Sequence, residues 1–565
     1  MPSMQSTDFL DRLMDVRGIP PDERQAFLTP SYEEHLHDPF LMLGMDRAVA
    51  RVLSAIDNNE HIVVYSDYDA DGIPGGVILH DFFKKVGYEN FENYIPHRHD
   101  EGYGLHMDAV KQFVEGSAKL IITIDLGITA MAEVAYAQEH GVDVIVTDHH
   151  LPHAEVPNAF AILNPKQVGD SYPFKELCGA GVAFKLVQGL IVGLSKRENA
   201  RGSDVPGWEK WLLDMAGLAT LSDMVPLVGE NRVLAYYGMK VLQKTRRAGL
   251  RHLLKKMKID PEHLVEDDIT FMITPRLNAA SRMDSPQRAF EVLSETDPIK
   301  ASVVADHLIK INDLRKTIVA TIMKQVHKKL EKRELREVIV IGDPEWRVGV
   351  LGLVASKIVE TYGRPCFVWG IEGATETGLI KGSCRSEGSV NVVDLMTAAT
   401  ESFHSFGGHE LAGGFVVTHE KVHFLEDALV AAFSGVKKEK EIGVVKTHDL
   451  AIDLSEVVRK NYEQLSQLAP FGMANEKPAF LFQGVELRGV KLFGKEKEHL
   501  EIIVASPNKT SAIPNRPVKA IAFFKTDADF QTKLEEGRTI DLTATMEMSY
   551  FMGRPELRLR IVGIN

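Results

Sequence analysis

The chain has 565 residues, a net charge of -14, 44% hydrophobic and 25% charged residues, the composition of a soluble globular protein of about three to four domains. No apolar run approaches the roughly 20 residues that span a bilayer, and we expect no secretory signal in "MPSMQSTDFLDRLMDVRG". The acidic balance argues against a nucleic-acid coat protein but does not exclude a nucleic-acid enzyme, whose metal-binding carboxylates count as negative charge.

Residues 1–45 are rich in Pro and acid-bearing turns, and a loosely packed helical lead-in is expected. "MDRAVARVLSAIDN" then reads as an amphipathic helix. "HIVVYSD", "KLIITIDLG" and "VDVIVTDHH" read as buried strands, with helices over "GIPGGVILHDFFKKVG" and "TAMAEVAYAQEHG" between them. Buried strands alternating with helices predict a parallel α/β sheet over residues 46–300. "RRAGLRHLLKKMK" (246–258) has six basic residues and no acid; a solvated helix face and a phosphate-backbone patch account for it equally well. Residues 301–335 contain no Gly or Pro and predict one long connecting helix. A smaller α/β lobe is expected over 336–440, closing on the Gly-rich "SFGGHELAGGF". In 446–565, five segments including "LTATMEMSY" and "ELRLRIVGI" read as strands, the mark of a small OB-like β-barrel. Cys178, Cys366 and Cys384 are far apart and form no CxxC pair. That argues against a zinc site or disulfide framework and for a reducing compartment, with the cytoplasm the expected location.

The chemistry is written at the strand ends. "YSDYDADG" puts Asp67, Asp69 and Asp71 after the first strand, Asp125 follows the second, and Asp148, His149 and His150 follow the third. "LATLSDMVPL" adds Asp223 after an apolar segment. In open parallel sheets ligands bind at the carboxyl ends of strands. Clustered acids there are costly unless cations neutralise them. Oxygen ligands with some imidazole suit Mn²⁺ or Mg²⁺, and two such ions serve in-line displacement at phosphorus. A calcium loop fits less well, because its twelfth position holds Ile78 rather than Glu.

These motifs resemble the DHH phosphoesterase superfamily and, within it, the RecJ-type single-strand-specific exonucleases, from about residue 46 onward. "SDYDADG", "IDLGIT", "TDHH" and "LATLSDMVPL" are similar to its four motifs. "PRLNAASRMD" is similar to its arginine segment, and "GDPEWRVGVLGLVASKI", "KGSCRS" and "FGGHELAGGF" to its DHHA1 lobe. "LAPFGMANEKP" opens an OB-like region. The resemblance implies an enzyme with a two-metal site for Mn²⁺ or Mg²⁺ that degrades single-stranded DNA from the 5′ end to 5′-mononucleotides, in DNA repair and recombination. It implies Asp67, Asp69, Asp71, Asp125, His149 and Asp223 as metal ligands, with His150, Asp69 and Asp125 catalytic. Arg282 and Arg276 would hold a phosphate. Ser383, Arg385, Gly407, Gly408 and His409 would clamp the strand. Tyr550 and Phe551, near Arg554, Arg558 and Arg560, either stack bases or belong to an ordinary barrel. The chain departs from the family pattern at Leu126, Ser281, Arg347 and Cys384, none a proposed metal ligand. Single-stranded DNA is the expected partner, with a single-strand-binding protein and a RecQ-type helicase beside it, no membrane, and a monomeric state. Two other readings stand: a phosphodiesterase of short oligonucleotides or cyclic dinucleotides, and a single-strand-binding scaffold that has lost catalysis. The arginine segment and the barrel favour long strands; the complete set of acids opposes the scaffold.

Overall fold

Two β-branched, fully buried segments, β1 (Ile62–Ser66) and β3 (Leu120–Ile124), form the centre of a five-stranded sheet. β2 (Phe91–Tyr94), β4 (Asp143–Thr147) and β5 (Ala161–Leu163) complete it in the order β2-β1-β3-β4-β5, every pair parallel. The edges β2 and β5 escape sequence reading, since "FENY" is half exposed and "AIL" has three residues. Ser66 pairs with Ile124 and Ile124 with Thr147. The residues that follow, Asp67, Asp125 and Asp148, therefore leave the carboxyl edge side by side. The computed structural model describes residues 8–196, 207–371, 378–437, 448–507, 516–550 and 554–565. Phe551 lies outside them.

By contact the chain divides into two units. One comprises Pro39–Asp223 and Lys240–Ile442; the other comprises Met1–Asp38, Met224–Met239 and Gly443–Asn565. In the first, the connecting helix runs Pro298–Leu330 rather than 301–335. It starts early because Asp297 accepts hydrogen bonds from the Ile299 and Lys300 amides (2.8 and 3.0 Å) and Pro298 suits a first turn. Its 33 residues reach about 50 Å. Beyond it lies a mixed sheet of β6 (Ile339–Asp343), β7 (Cys366–Gly370), β8 (Leu379–Arg385), β9 (Ser405–His409) and β10 (Ala412–Thr418), ordered β6-β7-β8-β10-β9. Only β6 and β7 pair in parallel; the Gly-rich segment is the antiparallel hairpin β9–β10.

The other unit holds β11 (Leu450–Ala451), β12 (Ala479–Phe493), β13 (His499–Ala505), β14 (Val518–Ala522), β15 (Thr539–Ser549) and β16 (Glu556–Ile564). The ladder β12-β13-β14-β16-β15 closes as β15 pairs back with β12, giving a five-stranded barrel with no open edge among these strands. Period-two alternation buries Phe480, Phe482, Leu487, Leu500, Ile502 and Leu542 inside it. The lead-in is not loosely packed. Helix Phe9–Val16 sends Phe9, Leu13 and Met14 into the same core, Phe9 against Phe480 at 5.7 Å between ring centroids.

Candidate active site

Backbone ladders hold the strand-end acids level. The Asp67 amide donates to Ile124 O (3.1 Å), that of Asp125 to Thr147 O (2.9 Å) and that of Asp148 to Leu163 O (3.0 Å). Asp69 accepts from the Asp71 and Gly72 amides (2.8 and 3.2 Å), which folds the first loop onto helix Gly72–Lys85. Asp71 accepts from the Gly179 and Ala180 amides (2.6 and 2.8 Å) at the start of helix Gly179–Ser195, where the helix dipole favours an anion. A Cβ on Gly179 would lie 2.5 Å from Asp125 Cβ, so only glycine lets that helix come so close. Asp125 itself sits at φ 63°, a strained conformation for a non-glycine residue that is characteristic of functional sites. Asp223 caps helix Leu213–Ser222 at its C-terminus, so it reaches the cluster from a helix end rather than a strand end.

Three overlapping groups of potential ligand atoms result: Asp67, Asp69 and Asp125; Asp71, His149 and Asp223; and Asp125, His149 and His150, each with its atoms within 4.8 Å of one another. His149 Nε2 lies 3.2 Å from Asp125 Oδ1 and 3.7 Å from both Asp71 Oδ2 and Asp223 Oδ2. Asp67 Oδ1 and Asp125 Oδ1 are buried without a hydrogen-bond partner, a costly state unless a cation satisfies them. Burial, then the charge of Asp69, holds the Asp67 carboxyl well above the usual range; burial, then Asp71 and Asp69, does the same to Asp125. Burial and Asp69 push Asp71 up to about 6, against the pull of the two helix amides. Burial and Asp71 push Asp223 up to about 8. Burial and His150 push His149 down to about 3, which leaves its imidazole neutral, as a ligand must be. The donors are hard oxygens with imidazole. Burial and Asp71 keep the nearby Cys178 thiol protonated. This set fits Mn²⁺ or Mg²⁺.

Asp148 points elsewhere. Its carboxylate accepts from the Ile128, His149 and His150 amides and from His150 Nδ1 (2.9, 2.7, 3.1 and 2.8 Å). Burial alone would raise it, but the His150 hydrogen bond holds it below the usual range. Burial lowers His150 in turn, yet the Asp148 bond carries it up to about 8. His150 is therefore protonated at neutral pH, half exposed, and 3.9 Å from Asp125 Oδ1. Tyr103 closes this corner, its hydroxyl donating to Asp125 O (3.3 Å) and lying 3.4 Å from His150 Nδ1.

Beside the carboxylates stands a group of opposite sign. Burial, then Arg98, Arg315 and Arg385, pushes Arg282 down to about 9. Arg282 Nη1 reaches Gly349 O at 3.4 Å, and His99 Nε2 lies 3.2 Å from Arg282 O. Arg385 donates to Ser383 Oγ (3.2 Å) and Cys384 O (2.7 Å); burial lowers it, and Arg98 adds to that. Burial, Arg385 and His150 lower His409, which places the β9–β10 hairpin within electrostatic reach of His150. Gly407 and Gly408 are in that hairpin, Gly408 at φ 149°. Among the described residues no carboxylate forms an ion pair with Arg98, Arg282 or Arg385, and arginines held this close favour a phosphate.

The structure thus gathers Asp67, Asp69, Asp71, Asp125, His149, His150 and Asp223, with Arg282, Ser383, Arg385 and His409 nearby. Arg276 turns away. It donates to Met272 O (2.6 Å) in the π-helical turn Asp268–Ile273, and its charged neighbours are Asp313, Arg315 and Lys316 of the connecting helix. Arg98, Tyr103 and Arg315 went unnoticed in the sequence. Only "PHRHDEGYG", dense in ring and cationic residues between two strands, signals the first two. On the barrel, Arg560 and Arg558 lie over Phe523 (4.3 and 5.8 Å), and Phe493, His499 and Phe524 surround it. Arg558 and Arg560 also pair with Glu547, so this edge is only partly basic.

Comparison with known proteins follows the same divisions. Residues 61–220 match the DHH family N-terminal domain, 335–439 the DHHA1 domain and 448–563 the RecJ OB domain. The single-stranded-DNA-specific exonuclease RecJ of Bacillus subtilis is 33% identical over 98% of this chain and 67% of its own. Its counterpart in Haemophilus influenzae is 29% identical over 99% of this chain and 96% of its own, and that of Dickeya dadantii 32% identical over 83% and 82%. The crystal structure of RecJ in complex with Mn²⁺ from Thermus thermophilus superposes with a TM-score of 0.79 at 25% identity, covering 99% of this chain and 76% of that one. A manganese-bound exonuclease RecJ gives 0.60 at 31% identity, over 70% and 95%.

Proposed function

Because the chain belongs to the RecJ family of single-stranded-DNA-specific exonucleases, we propose that it hydrolyses single-stranded DNA from the 5′ end and releases 5′-mononucleotides. The observation that carries this reading is the juxtaposition of a carboxylate–histidine cluster with orphaned oxygens and an arginine cluster that, among the described residues, forms no ion pair. The first asks for divalent cations, the second for phosphate. Asp67, Asp69, Asp71, Asp125, His149 and Asp223 would hold Mn²⁺ or Mg²⁺. When bound, such ions neutralise the carboxylates, polarise a phosphoryl oxygen and acidify the attacking water.

The chain's own groups do the rest. Arg282, with Arg98 and Arg385, holds a phosphate by charge-assisted hydrogen bonds and sets the scissile phosphorus over the carboxylates. Water attacks that phosphorus, the bond to the 3′ oxygen breaks, and the terminal nucleotide leaves with its 5′-phosphate. His150, protonated and oriented by Asp148, presents its proton to the phosphoryl group. Ser383 and the hairpin residues Gly407, Gly408 and His409 steady the strand. The match to the RecJ OB domain runs to residue 563, which favours long strands over dinucleotides. We place the enzyme in the cytoplasm, in DNA repair and recombination, as a monomer working beside a single-strand-binding protein and a RecQ-type helicase.

A 5′-phosphorylated strand labelled at its first nucleotide tests this, with Mn²⁺ and matched duplex, RNA and 3′-blocked strands alongside. Early release of labelled mononucleotide from single-stranded DNA, the blocked strand included, is expected. Cleavage confined to short oligonucleotides would overturn the substrate assignment.

A further inference from the structure

Helices Gly72–Lys85 and Leu213–Ser222 each bring one carboxylate to the cluster, Asp71 as N-cap of the first and Asp223 as C-cap of the second. Their far ends meet at a separate cavity of about 320 Å³, within the range of small-molecule pockets. Ten residues of helix, about 15 Å, separate Asp71 from Asp81 at the cavity. The second helix spans a similar distance between Asp214 and Asp223.

The cavity's groups divide by role. Arg247 ties both helices together, donating to Asp214 (2.6 and 3.1 Å), to Asp81 Oδ2 (2.8 Å) and to Leu293 O (2.9 Å). It is a clamp: four of its five N–H donors are used, and only one on Nη1 remains. Arg246 is different. Its guanidinium carbon lies over Trp211, 3.8 Å from the ring centroid, and among the described residues no carboxylate pairs with it. A stacked arginine keeps its edge free for an anion. Trp208 adds a second ring, with the Lys85 ammonium 5.9 Å from its centroid. On the floor, Asp81 Oδ1 accepts no hydrogen bond among the described residues.

Two aromatic rings, a carboxylate oxygen awaiting a donor, and a free arginine with a lysine near it describe one ligand chemistry. The ring takes a planar base by stacking, the carboxylate takes an amino or ring N–H, and the cations take a phosphate. Asp81, Asp214 and Glu295 also line the cavity, so a ligand here must bring hydrogen-bond donors as well as its phosphate, as a nucleobase does. We propose that this cavity is a regulatory site for a nucleoside monophosphate. Because Arg247 joins the two helices that carry Asp71 and Asp223, occupation of the site shifts those carboxylates and alters the rate. The identification of the ligand as the product class rests on the exonuclease reading; the binding itself does not.

The test uses the full chain in chelator, with dAMP as probe and the fluorescence of its four tryptophans as signal. Saturable quenching is expected in the parent and in Asp125→Asn. Arg246→Gln and Trp208→Phe should each weaken binding by about tenfold, the scale of one charge-assisted contact or one lost stacking surface. Absence of quenching, or quenching indifferent to Arg246→Gln, overturns the site. Quenching lost in Asp125→Asn but kept in Arg246→Gln assigns the nucleotide to the catalytic cleft and also overturns it. In strand-release assays dAMP should change the parent's rate but not that of Arg246→Gln relative to its own nucleotide-free rate. Binding without a change of rate removes the regulatory role. An inactive parent refutes the exonuclease reading while leaving the fluorescence result standing.

Discussion

The parallel sheet and the mixed sheet are both five-stranded and both back onto helices, yet they accumulate uncompensated charge of opposite sign. At the carboxyl edge of β1, β3 and β4, burial and mutual repulsion lift Asp67, Asp71 and Asp125 above the usual carboxylate range. Beside β8 and β9, burial and like charge lower Arg282, Arg385 and His409. The two clusters feel each other, Arg98 lowering Asp67 and Asp69 raising Arg282, but burial outweighs that attraction. Direct carboxylate–arginine ion pairs between them would have used up both, and among the described residues none forms, as the proposed division into a cation site and an anion site requires.

That contrast is broken most directly on the acidic side. Asp125→Asn should reduce mononucleotide release on the order of a thousandfold or more, since it removes the residue shared by two ligand groups. Strand binding in chelator, followed by anisotropy, should persist; activity close to that of the parent would sink the two-metal assignment. On the basic side, Arg282→Gln removes a buried charged donor worth about 2–3 kcal/mol, so kcat/KM on 5′-phosphorylated strands should fall about 30- to 150-fold with Mn²⁺ affinity intact. A loss confined to Mn²⁺ binding would place Arg282 in the wrong half.

The acidic cluster also has a pH signature. The folded, ion-free protein holds protons on Asp71 and Asp223 up to about 6 and about 8, whereas an unfolded chain sheds them near 4. The folded state thus binds more protons across this window, and ion-free stability falls as pH rises through it. Ions need the deprotonated carboxylates, so Mn²⁺ binding should release protons and the gain in Tm on adding Mn²⁺ should widen from about pH 6 to about pH 8. A gain independent of pH would mean that these acids do not bind the ions. The smallest effect is expected at Arg276. Arg276→Gln should leave kcat/KM within about threefold and cost about 1 kcal/mol of stability, the worth of its bond to Met272 O. A fall matching that of Arg282→Gln would return Arg276 to the phosphate.

Much of this was legible before folding. Three apolar runs ending in acids announced the parallel sheet and most of the carboxylate–histidine cluster, because a buried strand must be apolar along its length and its chemistry must wait for the end. The five barrel strands were legible because period two survives in each. β2 and β5 were not, since short edge strands bury too little to leave a pattern. Arg98 and Arg276 show the same limit for the site. A basic residue near an arginine motif looks like a phosphate ligand, but only packing decides that Arg276 satisfies a carbonyl in a π-helical turn while Arg98 joins Arg282.

By itself, then, the sequence determined most of the elements, their order, and seven groups of the cluster, Asp67 to Asp223. These properties are set by neighbours a few residues away or by which side chains end a strand. Tertiary structure alone decided that Asp148 is hydrogen-bonded to His150, that the lead-in helix completes the barrel core, and that four arginines from residues 98 to 385 converge. Those outcomes depend on which surfaces pack together, and nothing local in the chain encodes a distance between residues hundreds of positions apart.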